Sequence, residues 1–214
     1  MREIAKAGRD PKKTEMIGNE ELEAMREVAK AGRDPTAADE TVLALIKWAN
    51  AHNAKRILEI GAGEGLTSLS LLFNTEAHVT AIELEPVRAK KFRENMARFG
   101  VEERVNFIEG DAGDVLPNLD GSYDLIFLDG PKVQYKRYFS DCKRLLKVGG
   151  ALFSDDILLF GWVRGEPPKK RRMLVEHIRE YLALLEGDPD FSTQIFEYGE
   201  GLAVSVKQGT IRKG

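Results

Sequence analysis

Four side chains in the second half of the chain have the types and spacing to do chemistry: Asp129 and Lys132 in LDGPK, and the adjacent Asp155 and Asp156 in FSDD. Each acid follows a short apolar run, which places it at a strand tip, where open parallel sheets collect ligands. Carboxylates gathered at one edge repel one another unless a cation intervenes. Oxygen ligands without His or Cys favour Mg²⁺, with Mn²⁺ or Ca²⁺ as alternatives, and such an ion keeps positions for water or a substrate oxygen. An oxygen nucleophile beside it has a lowered pKa, and a neighbouring amine can accept its proton. Lys132 is the candidate base. The plain alternatives are a helix cap for Asp155-Asp156 and an ordinary surface lysine for Lys132.

A second constellation lies upstream. ILEIGAGEG, Ile57 to Gly65, puts a buried strand directly before Gly61, Gly63 and Gly65, with a helix expected from Leu66. Glycines let the backbone turn sharply and let a ligand approach. Dinucleotide enzymes use the same device, but their GxGxxG spacing needs glycine at position 66, which is Leu66 here. Glu59, inside the strand, suits a cationic sulfonium better than a pyrophosphate. Glu83 follows the glycine loop by about 20 residues, the distance at which a carboxylate bonds ribose hydroxyls. Glu85 competes for that role, and Glu83 is preferred because it lies nearer the strand end. Asp111, in GDA after a third strand, can accept from an adenine amino group. A solvated loop or helix cap is the alternative for each acid, and their regular placement after three successive strands favours the ligand.

The scaffold these residues need is visible from Lys55 onward, where short β-rich runs alternate with helical stretches, the pattern of a mostly parallel sheet covered on both faces. Strands are expected at Arg56–Ile60, His78–Glu83, Val105–Glu109, Leu125–Asp129 and Ala151–Ser154. Phe191–Glu197 and Leu202–Lys207 then form an antiparallel pair turning at Gly199-Glu200-Gly201. Before Lys55, EIAKAGRDP at Glu3–Pro11 recurs as EVAKAGRDP at Glu27–Pro35. Two copies are too few for a solenoid. The spacing of Leu22, Met25 and Ala29, and of Val42, Leu45, Ile46 and Ala49, predicts two amphipathic helices separated by Asp34-Pro35. The expected division is a helical extension over 1–50, acting as a cap or subunit contact, and a catalytic domain over 51–214.

The 214 residues, 43% hydrophobic and 31% charged, are enough for one globular domain and argue against a disordered polymer. No apolar run approaches the roughly 20 residues of a membrane span, and MREIAKAGRD offers no apolar leader. A cytoplasmic protein without membrane association is expected. One cysteine, Cys142, excludes an internal disulfide and a multi-cysteine zinc site; it reads as a core residue on a helix. A net charge of −3 argues against a general polyanion binder. The run Lys169, Lys170, Arg171, Arg172 still offers a local patch for phosphates, or simply a solvated helix face.

The stretch from about Lys55 to Lys207 resembles the catechol O-methyltransferase-like branch of the class I methyltransferases, through LEIGAGEG, AIELEP, EGDA, YDLIFLDGPK, KVGGALFSDD and GEGLAVSVK. The resemblance implies a Rossmann-like α/β sheet with an antiparallel last strand and S-adenosylmethionine as methyl donor. It implies cofactor contacts at Glu59, Gly61, Glu83 and Asp111, and Gly63, Gly65, Ser68, Ala112 and Asp129 are expected to join them. By the same resemblance Asp129, Asp155 and Asp156 are metal ligands and Lys132 the catalytic lysine. Glu197, just before Gly-Glu-Gly-Leu, stands where catechol-methylating relatives carry a substrate carboxylate. The chain departs from the pattern in having Asp156 where many relatives have Asn, and Gly130-Pro131 inside the Asp-x-x-Lys motif.

Within this branch, QYKRYF, DDILLFGWV and GEGLAVSVK resemble most the bacterial enzymes that methylate 5-hydroxyuridine at the wobble position of tRNA, which implies a tRNA partner and a homodimer. Lys169 and Arg171 then meet phosphates, and Phe160 and Trp162 stack on a base or pack at a loop or dimer contact. A small catechol-like phenol is the alternative acceptor, since it too presents adjacent oxygens. A cofactor-sensing module without turnover and an NAD-dependent oxidoreductase are the remaining readings; the glycine spacing disfavours the last.

Overall fold

The computed structural model describes residues 20–32 and 36–209. Seven strands form one sheet: β1 (Arg56–Ile60), β2 (His78–Glu83), β3 (Val105–Glu109), β4 (Tyr123–Leu128), β5 (Leu146–Ser154), β6 (Phe191–Phe196) and β7 (Leu202–Lys207). Their order is β3-β2-β1-β4-β5-β7-β6. The first five run parallel, and β7 is antiparallel to both β5 and β6. β1 and β4 read as apolar runs because both faces of a central parallel strand are covered. Their neighbours are apolar residues of two clusters, one on each side of the sheet.

The helices are α1 (Glu20–Gly32), α2 (Asp39–Ala51), α3 (Leu66–Asn74), α4 (Pro86–Phe99), the single turn α5 (Ala112–Val115), α6 (Tyr135–Leu145) and α7 (Arg172–Gly187). α2 buries Val42, Leu45, Ile46 and Ala49, as its spacing predicts. Of the second copy of the repeat, Glu27–Gly32 belongs to α1; its last three residues, with the expected break at Asp34-Pro35, and the whole first copy lie outside the described residues. Cys142 is buried in α6, and burial pushes its thiol up to about 12, so it is a core residue. No described helix is long and apolar enough to cross a membrane.

Two strands differ from expectation at their starts. β4 begins at Tyr123 rather than Leu125, and β5 at Leu146 rather than Ala151. Tyr123 pairs with Leu146 while Leu125 pairs with Ala151, so β5 carries extra residues there. Gly149, at φ 81°, belongs to this irregular stretch. Gly149-Gly150, just before the expected strand start, lies at this bulge inside β5. The sheet order reverses between β1 and β4, and the crevice at their carboxyl ends is where such sheets bind ligands.

Candidate functional site

A cavity of about 500 Å³ opens at that crevice, within the usual size range of small-molecule sites. Its floor is the turn after β1. Gly61 sits at φ 88°, and Gly61 and Ala62 both donate to the Ile82 carbonyl, at 2.9 and 3.0 Å. Gly63 also lines the cavity, and its N–H donates to Glu83 Oε2 at 2.8 Å. Gly65 does something else: at φ 89° it begins α3, and a Cβ there would lie 2.6 Å from Met96 Cε. It allows close helix packing and does not line the cavity.

Three acids from successive strand tips face this floor. Glu83 accepts from Gly63 and, through its other oxygen, from the Glu85 N–H at 2.8 Å. Glu85 also lines the cavity and caps α4, accepting from the Arg88 N–H at 3.1 Å. Asp111 lines the cavity beside Ala112 and accepts from Gly113 N–H at 2.6 Å. Glu59 is 2% exposed and accepts from the Ser68 hydroxyl. Burial, opposed by that hydrogen bond and reinforced by Asp129 and Glu83, pushes Glu59 up to about 8 from 4.5.

Between pH 4.5 and 8 the folded chain holds a proton on Glu59 that the unfolded chain has lost, so stability contributed by this group falls as pH rises through that window. Ligand-free thermal melts from pH 5 to 8 are therefore expected to show a declining midpoint, and Glu59→Gln should flatten the decline. An equal slope in the variant would show that other groups set it.

On the β4 and β5 side, Lys132 Nζ lies 2.9 Å from Asp129 Oδ1 and 3.0 Å from Asp156 Oδ2. The ammonium thus stands between two of the expected acids. Burial opposes its charge, but Tyr135, Asp129 and Asp156 outweigh it and hold Lys132 well above its ordinary value. As placed, Lys132 is a cation and not a base. Asp155 is 3% exposed, and its Oδ1 accepts from Thr41 of α2 at 3.4 Å, so it does not line the cavity. Burial first, then Asp129 and Asp156, push Asp155 up to about 8. Asp156 has φ 55°, and the chain after it forms turns, so Asp155-Asp156 caps no helix. Among the described residues no three His, Cys, Asp or Glu side chains are grouped as a metal cage. The donor chemistry nevertheless fits a hard cation, because buried carboxylates with raised pKa values are groups whose charge lacks compensation.

The remaining expected residues lie elsewhere. Ser68 is wholly buried behind the wall, serving Glu59, and its neighbour Thr67 lines the cavity. Glu197 is exposed and paired with Arg164 at 2.7 Å. Trp162 packs against Phe160 with ring centroids 5.0 Å apart. Lys169 and Arg171 are exposed in the turn before α7. Ser68, Glu197, Trp162, Lys169 and Arg171 are all absent from the cavity lining. The sequence reading missed Ala29, Thr36 and Ala37 from the N-terminal extension, and Leu84, Arg88 and Tyr138. Arg88 carries a legible signal, a cation just inside the helix after Glu83; the extension carries none, because its place over the cavity is a tertiary fact.

Known proteins resemble this architecture. Residues 13–208 match the family model described as O-methyltransferase. A caffeoyl-CoA O-methyltransferase of Populus kitakamiensis is 30% identical over 163 residues, covering 71% of this chain and 69% of the relative. The crystal structure of a Staphylococcus aureus protein assigned to the caffeoyl-CoA O-methyltransferases superimposes with a TM-score of 0.82 at 30% identity, covering 88% of this chain and 93% of that one. The O-methyltransferase TomG of Streptomyces achromogenes, solved with S-adenosylmethionine, gives a TM-score of 0.77 at 25% identity, covering 89% of this chain and 91% of that one.

Proposed function

Because this chain belongs to the O-methyltransferase family and is an S-adenosylmethionine-dependent O-methyltransferase, we propose that its acceptor is the hydroxyl of 5-hydroxyuridine at the wobble position of tRNA, methylated beside a divalent ion. The observation that carries the chemical part is the meeting of Asp129, Lys132 and Asp156 at the rim of the glycine-floored cavity. Glu83 and Asp111 take the ribose and adenine of the donor, and Glu59 and Asp129 face its positive charge. The donor supplies an electrophilic methyl on a sulfonium, and a resident divalent ion supplies a lowered pKa to a bound hydroxyl. Asp129 and Asp156 would hold that ion, with Asp155 joining if its side chain turns from Thr41. With Asp129 and Asp156 engaged by that ion, Lys132 would lose the charges that keep it protonated, would give its proton up to solvent, and as a neutral amine could accept the proton of the acceptor hydroxyl. The acceptor oxygen then forms its bond to the methyl carbon as the carbon–sulfur bond breaks, leaving neutral S-adenosylhomocysteine.

Support for a tRNA acceptor comes from the exposed run Lys169 to Arg172 and from Phe160, 68% exposed in the loop after Asp156. The second reading is a small phenolic acceptor with adjacent oxygens, and it is favoured by the relative named for caffeoyl-CoA. The test is methyl transfer to tRNA bearing hydroxyuridine against a catechol panel, across a salt series and with a chelator. We expect tRNA turnover that falls steeply with salt, as phosphate contacts require, and that stops with chelator. Turnover of catechols alone would replace the acceptor, salt-indifferent tRNA turnover would remove the basic run from it, and chelator resistance would remove the ion.

A further inference from the structure

β4 and β5 are last paired at Leu128 and Ser154, so Asp129, Asp155 and Asp156 all lie past the end of that ladder. Their backbone groups need other partners there. Asp129 N–H donates to the Ile60 carbonyl at 2.9 Å, and Asp155 N–H to the Leu128 carbonyl at 3.0 Å. The Asp155 carbonyl is met by Tyr135, the first residue of α6. The Tyr135 hydroxyl lies 2.9 Å from the Leu128 carbonyl oxygen and 3.2 Å from that of Asp155, and its single proton is shared between them. The side chain is wholly buried. Its ring centre lies 5.4 Å from Lys132 Nζ, within cation–π range.

Core packing alone does not explain that hydroxyl. A phenylalanine ring would fill the same space, and a buried O–H is costly unless it is bonded. The bond it makes bears on the site. The Asp155 carbonyl belongs to the same planar peptide as the Asp156 nitrogen, so the orientation of that plane sets φ of Asp156. Asp156 stands at φ 55°, in the left-handed region, where a residue with a side chain is strained unless its surroundings hold it. From this turn its Oδ2 lies 3.0 Å from Lys132 Nζ. Tyr181 of α7 offers the contrast. It is equally buried and meets the Tyr135 ring edge-on at 5.3 Å, but its hydroxyl bonds the Ser154 side chain at 2.6 Å, inside the ladder.

We infer that Tyr135 is a positioning residue for the reacting groups: its hydroxyl holds the peptide between Asp155 and Asp156, and with it the turn that brings Asp156 to Lys132, while its ring supports the ammonium. This rests on Asp129, Asp156 and Lys132 being the reacting centre. One buried side chain thereby sets the spacing between the acid that follows β5 and the lysine that precedes α6. Tyr135 does not line the cavity, so it acts through these groups and not on donor or acceptor.

The test compares Tyr135→Phe with Tyr181→Phe, each of which removes one buried hydroxyl and keeps the ring. Three quantities are read in both and in the wild type: turnover of hydroxyuridine-bearing tRNA and of catechol, S-adenosylmethionine affinity by calorimetry, and the Mg²⁺ concentration giving half of the ion's stabilisation in thermal melts. Tyr135→Phe is expected to lower kcat by about 10–100-fold, the cost of a small misplacement of reacting groups, with donor affinity near that of the wild type. Its half-stabilising Mg²⁺ concentration should rise about tenfold, as when a group behind a metal ligand is lost. Tyr181→Phe should lose comparable thermal stability and keep both kcat and the Mg²⁺ response. Equal kcat and equal Mg²⁺ response in the two variants would overturn the inference and leave Tyr135 a core residue. A wild type whose melting ignores Mg²⁺ would instead overturn the ion, and the kcat comparison then decides Tyr135. If neither acceptor is turned over, the acceptor reading falls and the Mg²⁺ response decides.

Discussion

Gly61→Ala is expected to abolish donor binding and to lower stability by roughly 2–5 kcal/mol, combining left-handed backbone strain with overpacking. An ideal Cβ at Gly61 would lie 2.4 Å from the Asp129 carbonyl oxygen, 2.8 Å from its carbon and 2.9 Å from Gly130 Cα. All three are backbone atoms, so no side chain can swing aside. Relief requires β1 and β4 to separate at their tips, where Asp129 N–H donates to the Ile60 carbonyl at 2.9 Å. That separation would displace both the cavity floor and Asp129. Gly149→Ala is the control: φ is 81° there too, but a Cβ would meet nothing within 4 Å. Its loss should be limited to backbone strain of about 1 kcal/mol, with donor binding intact. Urea denaturation and calorimetry on both variants make the comparison. Equal losses would mean that the contact with β4 is not what demands glycine at position 61.

Lys132→Met is expected to lower kcat by about 10²–10⁴-fold, the range of a lost general base, with a much smaller change in donor affinity. The side chain is 14% exposed and bridges Asp129 and Asp156, so its removal also leaves two carboxylates facing each other without their shared cation. The rate and the stability should therefore part company when Mg²⁺ is added: the ion restores the melting temperature, because it can neutralise the acids, but not kcat, because it cannot accept the proton. A pH–rate profile should lose its rising limb in the variant. Full rescue of kcat by Mg²⁺ would show that the lysine serves only as a counter-charge.

The alternation that gives the sheet away is carried by runs such as Arg56–Ile60 and His78–Glu83, whose observed bounds match their apolar patterns. A strand buried on both faces must be apolar along its length, and the polar residue that ends it lands at the sheet edge; this is why Glu83 and Asp129 could be placed before any coordinates. Local pattern failed where a glycine pair concealed a bulge in β5, and where side-chain direction mattered more than position. Ser68 and Thr67 are neighbours in sequence, yet only Thr67 lines the cavity while Ser68 serves Glu59 from behind.

The chain's own order of residues determined the fold class, the donor loop, and the set of acids at the strand tips, since each follows from the periodicity of one segment at a time. Only the tertiary structure decided that Asp155 turns to Thr41, that Lys132 stands as an ammonium between Asp129 and Asp156, that Glu197 pairs with Arg164, and that the helical extension walls the cavity through Ala29, Thr36 and Ala37. Each of these joins segments far apart in the chain, or depends on burial that shifts a proton, and neither is written in the spacing of any one segment.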